Sequence, residues 1–281
     1  MEVAVQKKSR MQYWDVAKGI VILLVIMGHL PEANEVIKDM IYSFHMPFFF
    51  LANAFFIKHY DVKVHLFKNA KSLLIPYAVV CVIEAVCYAI RGNTDVYWSY
   101  DIVKISEEVV SGEAMTPFAI FWDKLADMFM GLSFTSSRFL EFESVWIVWF
   151  LVSLFAAKMI YVVLMQVVEN LTKRIFPGTE GEDKKTTKCF MAISLCVCLL
   201  FAILGMWIGQ RYAFLPWSLD VSLVSLPFFW VGEQLRSSGI LESRYSKWLY
   251  LFCLGIWGLL FAMGCIVRWH FAFIQAICCA W

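Results

Sequence analysis

Apolar stretches of about 20 residues recur along this sequence, with charged segments between them, and that pattern leaves few folds open. A chain inside hydrocarbon has no water to satisfy its backbone polar groups, so it crosses as helices or as a closed barrel. Barrel strands would read as segments of about ten residues alternating apolar and polar. Here Ile20 to Met27 and Cys196 to Ile203 are apolar on every side. With 61% apolar residues, 17% charged residues and a mean hydropathy of +0.68, the composition lies outside that of ordinary soluble domains. The expected fold class is all-α, a polytopic transmembrane helix bundle. About seven spans are expected, near 14–31, 40–57, 73–90, 145–168, 189–209, 218–235 and 248–267, with a partial eighth from Phe271.

A net charge of +1 hides a strong segregation. With the N-terminus in the cytoplasm, the inner segments hold Lys7, Lys8 and Arg10; Lys58, Lys63, Lys68 and Lys71; Lys173, Arg174, Lys184, Lys185 and Lys188; and Arg236, Arg244 and Lys247. The outer segments hold only Lys38, Arg91, Lys104, Lys124, Arg138, Arg211 and Arg268. Every connection agrees with the positive-inside rule, which places the N-terminus in the cytoplasm. The long outer segment is instead acidic, with Asp95, Asp101, Glu107, Glu108, Glu113, Asp123, Asp127, Glu141 and Glu143.

The first apolar run carries Asp15 and Lys18 and precedes no small-residue cleavage site, so it reads as a retained span and not a signal peptide. The nine cysteines lie mostly in apolar spans without CxxC or metal-ligand spacing, so they read as small core residues; no metal site is expected. No Pro/Gly/Ser linker divides the chain, and residues 1–281 read as one domain. Two hydrophilic insertions interrupt it. The outer one, about 91–144, contains an interfacial stretch, Pro117 to Phe134, that mixes aromatics with Asp123, Lys124 and Asp127. The inner one, Glu169 to Lys188, reads as a solvated loop. Nothing is basic enough to suggest nucleic acid.

An ionisable residue inside a span costs about 2.5–3.5 kcal/mol on insertion scales, which makes each one a functional candidate. Asp15 and Lys18 are three apart, and His29 follows Lys18 by eleven residues. At about 100° per residue, eleven residues return to within roughly 20° of the starting face, about 16 Å further along the helix. A polar file therefore runs along span one. His45 opens span two within Phe44-His45-Met46-Pro47, after a short outer loop, so the two histidines are expected at similar depth. Imidazole titrates near neutrality and suits proton transfer; the plainer reading is hydrogen bonding inside the bundle. Glu84, in the outer half of span three, either faces the same cavity or pairs with a cation such as Lys158. Asp220 stands at the outer mouth of span six, where an N-terminal helix role is the alternative to substrate contact. Arg211 either contacts an acidic sugar or anchors at headgroups. His59 and His65 share a cationic cytoplasmic loop with Lys58, Lys63, Lys68 and Lys71 that would suit a phosphate-bearing donor.

Trp14-Asp15-Val16-Ala17-Lys18-Gly19-Ile20, running on to Gly28-His29, resembles the opening helix of the acyltransferase 3 family of membrane acyltransferases, in its fucose 4-O-acetylase-like branch. Phe44-His45-Met46-Pro47-Phe48-Phe49-Phe50-Leu51, Leu74-Ile75-Pro76-Tyr77, Trp149-Phe150-Leu151, Leu215-Pro216-Trp217-Ser218-Leu219-Asp220 and Leu226-Pro227-Phe228-Phe229-Trp230-Val231-Gly232 resemble later family elements, in the family's order. The chain departs from the pattern in three places. Lys18 stands where many members have Arg, Leu51-Ala52-Asn53 stands where many have Leu-Ser-Gly, and the family commonly has more helices after the point where this chain stops at Trp281.

The resemblance implies an O-acyltransferase of the bacterial inner membrane. It would move an acyl group, in most members acetyl, from cytoplasmic acyl-CoA to a hydroxyl of a cell-envelope or exported glycan. Acyl-CoA would be a co-substrate, with no bound cofactor, and the partners would be the carbohydrate acceptor and the lipid bilayer. His29 and His45 would be catalytic, with Lys18, Asp15, Glu84, Asp220 and Arg211 contacting donor or acceptor. The same intramembrane charges also fit a proton-coupled transporter, and the early C-terminus fits a truncated inactive homologue.

Overall fold

The computed structural model describes residues 12–30, 34–91, 116–131, 148–176, 184–212, 215–242 and 246–262, and the regular elements among them are all helical. Lys7, Lys8, Arg10, Lys104, Arg138, Arg244, Arg268, the acidic residues at 95–113 and 141–143, residues 177–183 of the inner insertion and the apolar run from Phe271 lie outside the described residues, whereas 169–175 and 184–188 of the insertion expected as a loop are helical. The chain divides into two compact units, one from residues 1–57 and 228–272, the other from 58–227 and 273–281.

In the first unit, α1 (Gln12–Gly28) buries Trp14, Val21 and Gly28 along one stripe, seven residues apart. Trp14 anchors the stripe against Phe55, with ring centroids 4.7 Å apart. The span expected at 40–57 is two helices, α2 (Glu35–Tyr42) and α3 (His45–Ala54), broken at Ser43–Phe44. Pro47 explains the break, because in a continuous helix its ring would strike the Ser43 carbonyl and its missing N–H would leave that carbonyl unbonded.

α10 (Leu226–Ser238) crosses α3 at Gly232, where a Cβ would stand 2.3 Å from the Leu51 carbonyl oxygen and 3.0 Å from the Ala54 Cβ. Ala52 and Ala54 are almost wholly buried, so small residues on both helices permit backbone contact. α11 (Ser246–Ala262) completes the described part of this unit.

The second unit opens with α4 (Val62–Asn69), capped by the Asp61 carboxylate, which accepts the Val64 N–H at 3.1 Å. The cationic stretch expected as a loop is therefore helical from Val62. A π-bulge at Ala70–Leu74 joins α4 to α5 (Ile75–Arg91). Pro76 follows the bulge; the widened turn accommodates a residue that cannot bond back to Ser72. α6 (Pro117–Met130) starts at a Thr116 cap with Pro117 in its first turn and ends at Gly131 in the left-handed conformation. α7 (Trp149–Ile175) is the buried axis of the unit, and α8 (Lys184–Tyr212) meets α9 (Leu219–Val224) at Gly205, where a Cβ would lie 2.8 Å from the Asp220 carbonyl oxygen. The span expected at 218–235 is broken too, at Ser225 between α9 and α10. Pro227, four residues after Leu223, again accounts for it.

Among the described residues, three helical stretches are long and apolar enough to cross a bilayer: Val62–Ile90, Trp149–Ile175 and Thr186–Gly209. α1 and α11, at 17 residues, sit at the short limit of spanning length. The central stretch has 61% of its apolar window buried, against 17% and 22% for the other two. Apolar residues facing outward to that extent belong in hydrocarbon, not water.

Candidate functional site

α1 ends at Gly28, so His29 stands just beyond the helix, although its N–H still reaches the Val25 carbonyl at 3.2 Å. Its ring turns back along the helix, and Nδ1–H donates to the same Val25 oxygen at 2.8 Å. A carbonyl only accepts, which assigns the proton to Nδ1 and the basic lone pair to Nε2. His45, first residue of α3, repeats the device: Nδ1–H donates to the Ile41 carbonyl at 3.0 Å, across the break. Both rings are part-buried.

Between them stands Tyr42. Its ring centroid is 5.5 Å from that of His29 and 5.4 Å from that of His45. Its hydroxyl donates to the Gly28 carbonyl at 2.8 Å, capping the end of α1. Gly28 permits this approach, since a Cβ there would meet the Tyr42 ring at 3.2 Å. The expected proximity of the two histidines thus takes the form of two imidazoles flanking one phenol. The break before His45 is held in turn by α11, where the Trp257 indole N–H donates to Ser43 Oγ at 3.0 Å and its ring meets Phe44 edge-on.

Lys18 and Asp15 lie on α1 as the periodicity requires. Asp15 is exposed, and its charge acts on Lys18. The Lys18 ammonium stands 4.6 Å from the centroid of the Phe56 ring, whose negative face holds it.

The other candidates belong to the second unit. Glu84 is half-buried on α5, and the cation acting on it is Lys124 of α6, not Lys158, whose charge reaches His65. Lys124 Nζ lies 5.1 Å over the Tyr88 ring and 3.5 Å from Asp127 Oδ2. The side chains of this ion pair are only 16% and 5% exposed, whereas Phe118, Trp122 and Phe129 on the same helix stand open. The described part of the expected interfacial stretch is thus a helix with Lys124 and Asp127 turned inward and Phe118, Trp122 and Phe129 outward, where Asp123 is exposed as well. At about 1.5 Å per residue, its 14 residues are too short to cross about 30 Å of hydrocarbon.

Asp220 is buried in the first turn of α9; the N–H groups of Val221, Leu215 and Asp220 itself act on its carboxyl, as the helix-end reading expects. Among the described residues its Oδ1 has no hydrogen-bond partner. Arg211 is exposed, with its guanidinium carbon 5.1 Å over the Trp207 ring four residues earlier, the arrangement of an anchor at headgroups.

Sequence reasoning did not single out Tyr42, although a tyrosine three residues before a candidate histidine was a usable signal. It also passed over the end of α6, where three carbonyls are each captured from outside the helix: Met128 by the Tyr77 hydroxyl, Phe129 by the Trp217 indole at 3.0 Å, and Gly131 by the Ser218 hydroxyl at 3.2 Å. Trp217 and Ser218 both have positive φ, 60° and 47°, which costs a non-glycine residue about 1–3 kcal/mol. From Ser218 the polar groups continue inward. Ser222 Oγ donates among the carbonyl oxygens of Ser153 and Ser218, both at 3.0 Å, and Ser225 Oγ donates to the Ser222 carbonyl at 2.8 Å. Among the described residues no cluster of three or more His, Cys, Asp or Glu side chains is placed to hold a metal.

A family model described as an acyltransferase domain matches residues 11–280. No curated protein and no solved structure matches the chain.

Proposed function

Because this chain belongs to that acyltransferase family, whose members are membrane-embedded, we propose that it transfers an acyl group, in the first instance acetyl, from cytoplasmic acyl-CoA to a hydroxyl of a cell-envelope or exported glycan. The observation that carries the reading is the orientation of His29, whose Nδ1 is committed to the Val25 carbonyl. Nε2 is then the nitrogen that takes the proton from the acceptor hydroxyl as the hydroxyl oxygen attacks the thioester carbonyl. The carbonyl end of α1 favours the positive charge that arrives on the ring.

His45, tied to Ile41 by the same bond, supports the transfer from the other side of Tyr42. It opens α3, whose amide end favours the negative charge that develops on the thioester oxygen. The tetrahedral intermediate then collapses, the carbon–sulfur bond breaks, and the thiolate leaves with the proton held at His29. Lys18 and Asp15, about 16 Å and about 21 Å along α1 from His29, are assigned to the donor, with the ammonium of Lys18 facing its phosphates. Glu84 and Asp220 are assigned to hydroxyl contacts of the acceptor. Arg211 is assigned to anchoring, which its stack on Trp207 supports.

The N-terminus is proposed to be cytoplasmic, on the charge segregation, and the membrane to be the bacterial inner membrane. The likeness to the fucose 4-O-acetylase-like branch favours a sugar hydroxyl as the acceptor. The test is transfer of label from radiolabelled acetyl-CoA into the cell-surface glycan of cells expressing the chain or its His29→Ala variant at equal membrane abundance. Label that appears with the wild type and is lost in the variant supports the reading. Equal labelling in both removes His29 from the mechanism, and no labelling in either removes this donor and acceptor.

A further inference from the structure

A groove of about 440 Å3 runs between α5 and α6, within the size range of ligand sites. Ala78, Cys81 and Val82 form one wall, and Trp122, Ala126 and Phe129 the other. Val82, Trp122 and Phe129 are exposed, so the groove opens away from the core of its unit. We propose that it is a lipid site that receives one acyl chain of a membrane phospholipid.

The surroundings argue for hydrocarbon. α5 belongs to the stretch Val62–Ile90, which is apolar enough to cross a bilayer and buries only 17% of its apolar window. The facing helix has turned Lys124 and Asp127 inward, leaving aromatics on the outside. The groove is apolar within as well. The Tyr77 hydroxyl at its edge is committed to the Met128 carbonyl, and the Cys81 thiol is buried.

Its shape is built in before any ligand arrives. The same Tyr77 bond holds the α6 wall from one side and the Trp217 indole bond to Phe129 holds it from the other, so little ordering is left to oppose binding. A second copy of the chain is the poorer occupant. Nine described residues line the groove, whereas a stable protein interface takes about 20–30 residues a side. One flexible hydrocarbon chain fills a narrow apolar cleft with dispersion contacts and needs no polar partner.

The experiment uses a phosphatidylethanolamine with a diazirine midway along one acyl chain, in phosphatidylethanolamine/phosphatidylglycerol vesicles holding the full chain. After photolysis, labelled peptides are compared between α6 and the exposed face of α8 at Leu199, Leu200 and Ile203. The expected result is at least fivefold more label on Trp122 to Phe129 than on that reference face. Ala126→Trp, at an exposed wall position, should remove the excess and leave α8 labelling unchanged. Ala78→Trp, from the opposite wall, should do the same, which separates a filled groove from a misfolded α6.

Equal labelling of α6 and α8 in the wild type would overturn the proposal, as would an excess that survives both tryptophans. A crosslinked dimer that either tryptophan abolishes would assign the groove to a second copy instead. None of these outcomes depends on acyl transfer.

Discussion

The hydroxyl of Tyr42 donates to the carbonyl of Gly28 at 2.8 Å, joining the end of α1 to the end of α2 and setting the phenol between His29 and His45. One side chain therefore fixes where the first histidine leaves its helix and how far it stands from the second.

Tyr42→Phe keeps the ring between the imidazoles and removes the bond to Gly28. The stability loss should be modest, about 0.5–1.5 kcal/mol for one hydrogen bond. The transfer rate should fall about tenfold with KM for the donor unchanged, because the histidines lose their alignment while Lys18 and Asp15, assigned to the donor, are untouched. Tyr42→Ala should fall further. Rates in proteoliposomes, set beside detergent melting curves, check both.

His29→Ala should lower transfer by about 10²–10⁴-fold, the usual worth of a positioned general base. His45→Ala should cost less. If the two losses are equal and the double variant is no worse than either single one, the histidines act as one unit and the division of roles proposed above is wrong.

Trp257→Phe removes the indole donor to Ser43 while an aromatic ring still faces Phe44. The expected outcome is a several-fold loss in turnover with the melting temperature nearly unchanged. Ser43→Ala should give a similar loss, and the double variant should not add to it if the two act through the same bond.

Gly232→Ala places a methyl where the Leu51 carbonyl oxygen already stands, at 2.3 Å, so α3 and α10 must separate. Overpacking of this kind costs about 1–3 kcal/mol. Gly255→Ala is the control, since among the described residues no atom beyond the local helix backbone lies within 4 Å of its Cβ position. Thermal melting in one detergent should show a lower midpoint for the first and no loss for the second.

Lys124→Met leaves Asp127 as a buried carboxylate without its ammonium, and loss of one partner from such a pair costs about 3–5 kcal/mol. The double variant Lys124→Met/Asp127→Leu should recover most of that stability. A double variant as unstable as the single one would mean that Lys124 stabilises the fold through Glu84 rather than through Asp127.

Several of these features were readable in advance. Pro47 and Pro227 stood inside expected spans, and each marks a helix that stops and restarts; the expectation of continuous spans gave their missing N–H too little weight. The position of His29 on the Lys18 stripe was readable because the helical period is a local property. Lys124 beside Glu84 was not: nothing in either segment distinguishes it from Lys158 until α6 lies against α5. The orientation of α6 had no local signal either, because its outward aromatics lie opposite Lys124 and Asp127 and the pattern is the same whichever face meets lipid.

The sequence by itself determined the helical membrane class, through apolar runs too long and too unbroken for any other fold, and it determined family membership through motifs kept in order from Trp14 to Gly232. Only the tertiary structure decided what touches what: Tyr42 between the histidines, Trp257 on the break before His45, Gly232 against Leu51. Apolar periodicity reports how each helix meets its surroundings, averaged along its length. Partner choice depends on the shapes of two surfaces distant in the chain, and no single segment contains it.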